Sequence, residues 1–326
     1  MRSPVRPATI SGSATSNTTL EGLRRALCCA AIIASGTAAA GDALPVREIA
    51  AGIHVHVGAQ AEASPSNRGA IANIGFIVGS RCVAVIDTGG SPDVGRSLRA
   101  AVRKVTPLPV CYVVNTHVHP DHILGNVAFV ADRPEFVGHA KLAAAMAARG
   151  RVYVAAAKRT LGPDAADAEI IPPTRAVTGS ATLDLGDRAL ELRAWPTAHT
   201  DHDLTIFDER TATLWLSDLL FIERIPVVDG SLRGWLQVLA DLKRLTARLV
   251  VPGHGNVTGD WPGASATQER YLRALLSETR AALRARKTLQ EAVETSGGSG
   301  RGEWLLFDAF HRRNVTAAFA ELEWEE

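Results

Sequence analysis

The chain has 326 residues, enough for one large domain or two small ones. Hydrophobic residues make up 46% and charged residues 21%, as in an ordinary folded globular protein. A net charge of +1 gives no electrostatic basis for binding nucleic acid or an anionic membrane, and 5% aromatic residues supply no stacking platform for single strands.

In chain order, the first segment has the pattern of an export signal. Arg24 and Arg25 precede an apolar, small-residue stretch from Ala26 to about Gly36, which runs into Thr37-Ala38-Ala39-Ala40-Gly41. Basic, apolar and small-residue regions in that succession mark a secretory leader, and the apolar part is too short to span a bilayer stably. Residues 1–40 are therefore expected to be a signal peptide. Cleavage after about Ala40 would leave a periplasmic protein with no stable membrane anchor, with Sec and twin-arginine export both open. Cys28 and Cys29 would leave with it. Cys82 and Cys111 remain, and two buried free thiols are the default expectation, although an oxidising compartment would tolerate a disulfide.

Short β-branched runs bounded by turn residues predict strands near Ile53 to Val57, Ile71 to Val78 and Cys82 to Ile86. Asp93 to Val105 has helical spacing, and Pro109 to Val114 reads as a buried strand. A helix is predicted over Lys141 to Arg149, then a second group of strands from about Thr182 to Trp215, then helices over Leu232 to Leu245 and Thr267 to Glu294. Strands followed by helix, twice over, fit two sheets packed face to face with helices outside. The main domain is expected over 46–296 and a C-terminal extension over 297–326. In that extension Gly297 to Gly302 is a linker, Val315 to Leu322 is a last helix, and Trp304, Phe307 and Phe310 pin it to the body. Ala59 to Gly69 is a flexible loop whose Arg68 is expected in solvent. Arg151 to Pro173 is a lid or a connector. His54 and His56 lack a nearby carboxylate and read as structural.

The densest chemistry lies in Thr116-His117-Val118-His119-Pro120-Asp121-His122. Three imidazoles and a carboxylate follow a buried strand directly, which suits a borderline cation such as zinc. Three more polar residues recur at the ends of apolar strands: His199 after Ala189 to Ala194, Asp218 after Leu214-Trp215-Leu216-Ser217, and His254 between Gly253 and Gly255 after Val250-Val251. Each is weak alone; their shared context points to one centre.

Together, His117, His119, Asp121, His122, His199, Asp218 and His254 resemble the ligand signature of the metallo-β-lactamase superfamily, over roughly Val46 to His254. Ile71 to Gly79, Val85 to Gly90 and Arg313 to Phe319 resemble its SoxH-related quinoprotein relay system zinc metallohydrolases. The resemblance implies a four-layer αββα sandwich and two zinc ions. His117, His119 and His199 would hold the first ion and Asp121, His122 and His254 the second, with Asp218 bridging. Asp87 would orient a ligating imidazole, since such a ring needs its other N–H held. Ala198 and Ser217 stand where the family commonly has glycine. Asp218, where β-lactam-opening members carry Cys or Ser, points away from a dedicated β-lactamase.

Two divalent cations beside Asp121 and Asp218 leave a charge of about +2, which favours a bridging hydroxide over water. The expected reaction is hydrolysis of an ester-, thioester- or amide-like bond in a small molecule, with Asp121 orienting the nucleophile and relaying a proton, and with a possible link to a periplasmic quinoprotein system. The alternatives are a mononuclear iron oxidoreductase resembling persulfide dioxygenases, a β-lactamase, and a non-catalytic accessory protein. His202, Asp203 and Arg224 are expected as solvated loop residues near the cleft.

Overall fold

The structure, a computed structural model, describes residues 42–297 and 300–325. The expected leader lies outside the described residues, as do Cys28, Cys29 and two positions of the expected linker, Gly298 and Ser299. The first sheet holds β1 (Arg47–Ala50), β2 (Ile53–His56), β3 (Ile74–Val78), β4 (Val83–Ile86), β5 (Val110–Asn115), β6 (Glu135–His139) and β7 (Arg175–Val177), neighbours in that order. It is antiparallel through β4 and parallel from β4 to β7. The second sheet holds β8 (Ser180–Asp184), β9 (Ala189–Ala194), β10 (Leu204–Asp208), β11 (Thr213–Phe221) and β12 (Leu249–His254). These pair antiparallel except for β11 with β12. The helices are α1 (Pro92–Val105), α2 (Pro120–Ile123), α3 (Leu142–Leu161), α4 (Leu232–Leu242), α5 (Ala266–Arg284), α6 (Leu289–Thr295) and α7 (Phe307–Leu322). Among the described residues no helix is long and apolar enough to cross a membrane.

Alternation within the strands builds the layers. In β4, Val83 and Val85 pack with Val94, Leu98 and Val102 of α1, while Ala84 and Ile86 turn inward to Leu190, Leu192, Ile206 and Trp215 of the other sheet. In β11, Leu214 and Leu216 face the outside with Trp235 and Val238 of α4 and Leu272 and Leu275 of α5. Strands β4, β11 and β12 are thus covered on both faces and read in the sequence as near-continuous apolar runs, whereas β8 and β9 alternate buried and exposed residues; the result is the expected αββα sandwich.

Some elements depart from expectation for local reasons. The helix predicted to stop at Arg149 continues to Leu161, so the first half of the supposed lid is helix. Gly150, just past the expected end, sits where an added Cβ would lie 2.5 Å from Ile170, so it marks a point of close packing within the helix. The single helix expected over 267–294 is two. Arg286 adopts φ 56°, and Thr288 starts α6 with a reciprocal capping pair to Glu291. The last helix starts at Phe307 rather than Val315; Trp304, Phe307 and Phe310 are buried against the second sheet's helices as anticipated. The default of two free thiols is overturned: Cys82 and Cys111 form a disulfide with Cα atoms 5.8 Å apart. They come together because β4 and β5 are neighbours whose register slips between Val83 and Ala84. Arg68 is not free in solvent but pairs with Asp93 of α1 at 2.6 Å.

Leu98 is fully buried between α1 and the first sheet, away from the polar centre. Leu98→Ala should lower stability by about 2–5 kcal/mol in urea denaturation while leaving bound metal per chain unchanged.

Candidate metal centre

The polar residues gather where strands of both sheets end. Asp87 follows β4, Thr116 to His119 follow β5, and Asp121 and His122 lie on α2. His199 lies in the β9–β10 connection, Asp218 is within β11, and His254 closes β12. Carboxyl ends of parallel strands are the usual place for a site in such sheets. Asp218 is re-aimed by an irregularity. Pairing of β11 with β12 slips between Trp215 and Ser217, and Ser217 takes φ 48°. That left-handed backbone is one that glycine adopts most readily; here the Ser217 hydroxyl lies 2.8 Å from Thr116 Oγ1, tying the two sheets together. A Cβ at Gly253 would overlap the Asp218 carboxylate, so the residue before His254 must be glycine for the strands to close on the site.

Two donor groups result. In the first, His119 Nδ1 is 3.1 Å from His117 Nε2 and 3.0 Å from His199 Nε2, and Asp218 Oδ2 is 3.6 and 3.2 Å from those two Nε2 atoms. In the second, Asp121 Oδ2 is 3.7 Å from His122 Nε2 and 3.4 Å from His254 Nε2, and Asp218 Oδ1 is 3.2 and 3.5 Å from the same nitrogens. A tetrahedron with bonds of ~2.0–2.1 Å has edges of about 3.3 Å, so both sets match the span of a zinc-sized ion. One Asp218 oxygen faces each group.

The outer hydrogen bonds fix which nitrogen carries a lone pair. His199 Nδ1 donates to Val227 O at 2.7 Å, His254 Nδ1 to Ile71 O at 2.9 Å, and His122 Nδ1 to Asp87 Oδ2 at 2.8 Å. A carbonyl or carboxylate only accepts, so Nδ1 carries a proton in each of these rings and Nε2 is turned inward, where a cation and a proton compete for its lone pair. His117 Nδ1 lies 3.1 Å from Thr116 Oγ1, whose own proton goes to Asp87 Oδ2 at 2.8 Å. His119 is reversed: its Nε2 donates to Asp229 Oδ2 at 2.9 Å and its Nδ1 faces the centre. Lone pairs therefore converge at separations where they repel. His122 Nε2 and Asp218 Oδ1 are buried, out of hydrogen-bond alignment with one another, and without any partner. A cation in each group removes both conflicts, so the residues fit the metals.

Electrostatics agree. Burial alone would depress the His122 imidazole, but Asp218, Asp87 and Asp121 together hold it well above its usual value. Burial and the neighbouring His122 push His117 well below. Burial opposes ionisation of Asp218, yet His122, His254 and His117 hold it well below the carboxylate range. A site this anionic takes up protons or cations at the same atoms.

Asp87, expected to orient a ligating imidazole, accepts from His122 Nδ1 at 2.8 Å and from the Thr116 N–H at 2.8 Å. His202, Asp203 and Arg224 correct the expectation of solvated loop residues, since all three are buried. Burial pushes His202 down to about 4, so its neutral Nε2 accepts from the Val118 N–H at 3.1 Å and braces the turn between His117 and His119. Burial pushes Asp203 up to about 6, and it accepts from Thr200 N and Oγ1 beside His199. His54 and His56 lie outside both donor groups, His54 stacked on Phe76. Sequence reasoning missed Asp229, which receives both His119 and Arg149, because Val228-Asp229-Gly230-Ser231 reads as an ordinary turn. It also missed Asn73, whose amide donates to Pro252 O and Gly255 O at 2.8 Å and clamps the His254 turn. Asn314 of α7 was missed too. It accepts from Val228 N at 2.9 Å and donates to Pro226 O at 2.7 Å, which holds the segment that orients His199 and His119.

A cavity of about 640 Å3 opens onto His119, Asp121, Asp218 and His254. Its walls come from α3 (Arg149, Tyr153), the segment 227–229, and α7 (Phe310, Arg313, Ala317).

Two packed sheets carrying paired histidine and aspartate donors at one edge define a metal-binding αββα protein. Residues 67–254, more than half of the chain, match the family model of the metallo-beta-lactamase superfamily, and the chain belongs to that superfamily. The fold is similar to a metallo-beta-lactamase from Pontibacter korlensis, at 21% identity and TM-score 0.56 over 71% of this chain and 99% of that one. It is also similar to the stereoselective inverting sec-alkylsulfatase Pisa1 from Pseudomonas sp., at 15% identity and TM-score 0.64 over 86% of this chain and 50% of that one. In sequence, 58 residues are 40% identical to a linear primary-alkylsulfatase of Pseudomonas sp., covering 18% of this chain and 11% of that protein. The chain thus spans only part of these alkylsulfatases.

Asp229→Ala should weaken zinc binding about 10- to 100-fold, measured by competition with a chromophoric chelator, with far-UV circular dichroism unchanged. Because three carboxylates hold a proton on His122, a cation must displace it. Zinc affinity should therefore fall as pH is lowered from about 8 to about 6, with proton release on binding visible as a buffer-dependent heat in calorimetry.

Proposed function

We propose that this protein is a periplasmic two-zinc hydrolase that cleaves an ester-, thioester- or amide-like bond in a small molecule. The observation that carries this reading is the placement of the two Asp218 oxygens, one toward each donor group. A single-metal iron site would leave one group of buried lone pairs without a cation, so the geometry favours two ions over the persulfide dioxygenase alternative. His117, His119, His199 and Asp218 Oδ2 would hold one ion; Asp121, His122, His254 and Asp218 Oδ1 would hold the other. When bound, the pair supplies Lewis acidity and a water that ionises near pH ~7.

The chain's own residues do the rest. Asp121 lies on the cavity wall with its side chain 13% exposed, so its carboxylate can orient the water, take its proton and return it to the leaving group. The outer hydrogen bonds of Asp87, Asp229, Val227 O and Ile71 O keep the rings from turning during turnover. Val227, Val228 and Phe310 line the cavity with apolar surface that keeps bulk water from the reacting bond. Local likeness to an alkylsulfatase supports including sulfate esters among the esters to be tested. Resemblance of Ile71 to Gly79 and Arg313 to Phe319 to the quinoprotein relay group supports a link to a periplasmic quinoprotein system, and the export pattern of residues 1–40 supports the location.

Metal quantification should find two zinc ions per chain. A chelator should abolish turnover of a responsive member of a panel of carboxylic esters, thioesters, amides and sulfate esters, and zinc should restore it. His119→Ala and Asp218→Ala should each lower that turnover by at least ~100-fold with the fold retained. One iron per chain and no hydrolysis across the panel would overturn the reading.

A further inference from the structure

Two arginines are buried among the described residues, and one of them is fully supplied with acceptors. Arg188, 3% exposed, grips Asp208 with two hydrogen bonds of 2.7 and 2.9 Å and donates to Val78 O and Ala51 O as well. Arg224 is different. It is 5% exposed, its Nε has no partner, and among the described residues it forms no ion pair with a carboxylate. Its Nη1 lies 3.2 Å from His254 Nδ1, but that nitrogen already carries the proton donated to Ile71 O, so two N–H groups face each other there. The guanidinium lies over the Phe310 ring, 5.2 Å from its centroid, a contact that offsets only part of the cost of burying a charge.

Its backbone is held from both sides: Arg224 N donates to Ile222 O at 2.8 Å, and Ile225 N donates to Leu305 O at 3.1 Å. The side chain is therefore presented to the cavity by a fixed frame. The two nearby carboxylates, Asp121 and Asp218, are committed to the donor groups. A second cation, Arg313, stands at the cavity rim with its guanidinium 5.5 Å from the centroid of the same Phe310 ring, on the exposed side of α7. Phe310 lies between them, and Val227, Val228 and Ala317 line the same cavity.

We infer that Arg224 is the seat for an anionic group on the molecule handled by this centre. The ligand is then a small amphipathic acid, its charged head beside His254 and its apolar body along α7. The guanidinium fork matches a carboxylate, sulfate or sulfonate oxygen pair and supplies the buried N–H groups with the acceptors that the protein does not. Arg313 raises the local concentration of anions at the entrance. This deepens the hydrolase reading by naming the substrate class, and it rests on that reading only for the word substrate.

The test is calorimetric titration of the zinc-loaded full chain, and of Arg224→Gln, with 1-octanesulfonate, 1-octanol and inorganic sulfate. The expected result is octanesulfonate binding more tightly than either of the others to the natural chain. Arg224→Gln should weaken octanesulfonate about 10- to 100-fold and leave octanol unchanged. Octanesulfonate binding no tighter than octanol, or equally to both proteins, would overturn the anion seat; inorganic sulfate binding as tightly as octanesulfonate would overturn the apolar half. If Arg224→Gln does not fold, the comparison of the three probes on the natural chain still decides. These are binding measurements, so a chain that binds octanesulfonate through Arg224 but hydrolyses nothing would refute the proposed reaction and leave the anion seat standing.

Discussion

Five imidazoles and two carboxylates cannot be packed lone pair against lone pair in a buried pocket unless positive charge lies among them. That constraint organises the whole edge of the molecule. Every ring has its outward nitrogen held by Thr116, Asp229, Asp87, Val227 O or Ile71 O, which turns its other nitrogen inward, toward the place of a cation. The network would be self-defeating in a protein without cations, since hydrogen bonds that fix tautomers also fix repulsion. With cations present the same bonds become preorganisation, because no ring has to reorient when metal arrives.

The scaffold serves this edge from several directions. Asp87 links the first sheet to His122 and to the start of the His117 turn, so the end of β4 sets the position of the motif that follows β5. The slipped pairing of β11 and β12 turns Asp218 toward both groups, and Gly253 makes room for it. On the far side, α7 reaches the metal centre without touching it. Asn314 holds Pro226 and Val228, and the residues between and beyond them hold His199 and His119. The same helix supplies Phe310 and Ala317 to the cavity wall, so the C-terminal segment shapes both the donors and the space in front of them.

The division of charge across the cavity is uneven in an informative way. Arg149 is neutralised by Asp229, which also receives His119. Arg224 is left with a ring face and no acceptor. A fold that pairs the buried Arg188 with Asp208, and the partly exposed Arg99 with Asp132, has no difficulty supplying partners for guanidinium groups. The exception falls beside the metal centre, where a ligand can be the partner.

By itself the sequence determined the candidate donors and the architecture. His117 to His122 are neighbours along the chain, His199, Asp218 and His254 each follow an apolar run, and strand and helix periods are local properties that a linear reading captures. The same locality explains what it could not reach. Whether Cys82 meets Cys111, whether α3 runs past Gly150, and whether His202, Asp203 and Arg224 face water depend on which segment packs alongside. Asp229 and Asn314 acquire their roles from rings and carbonyls roughly a hundred positions away in the chain. Tertiary structure decided these points, because burial and hydrogen-bond partnership are properties of the space around a residue rather than of its neighbours in sequence.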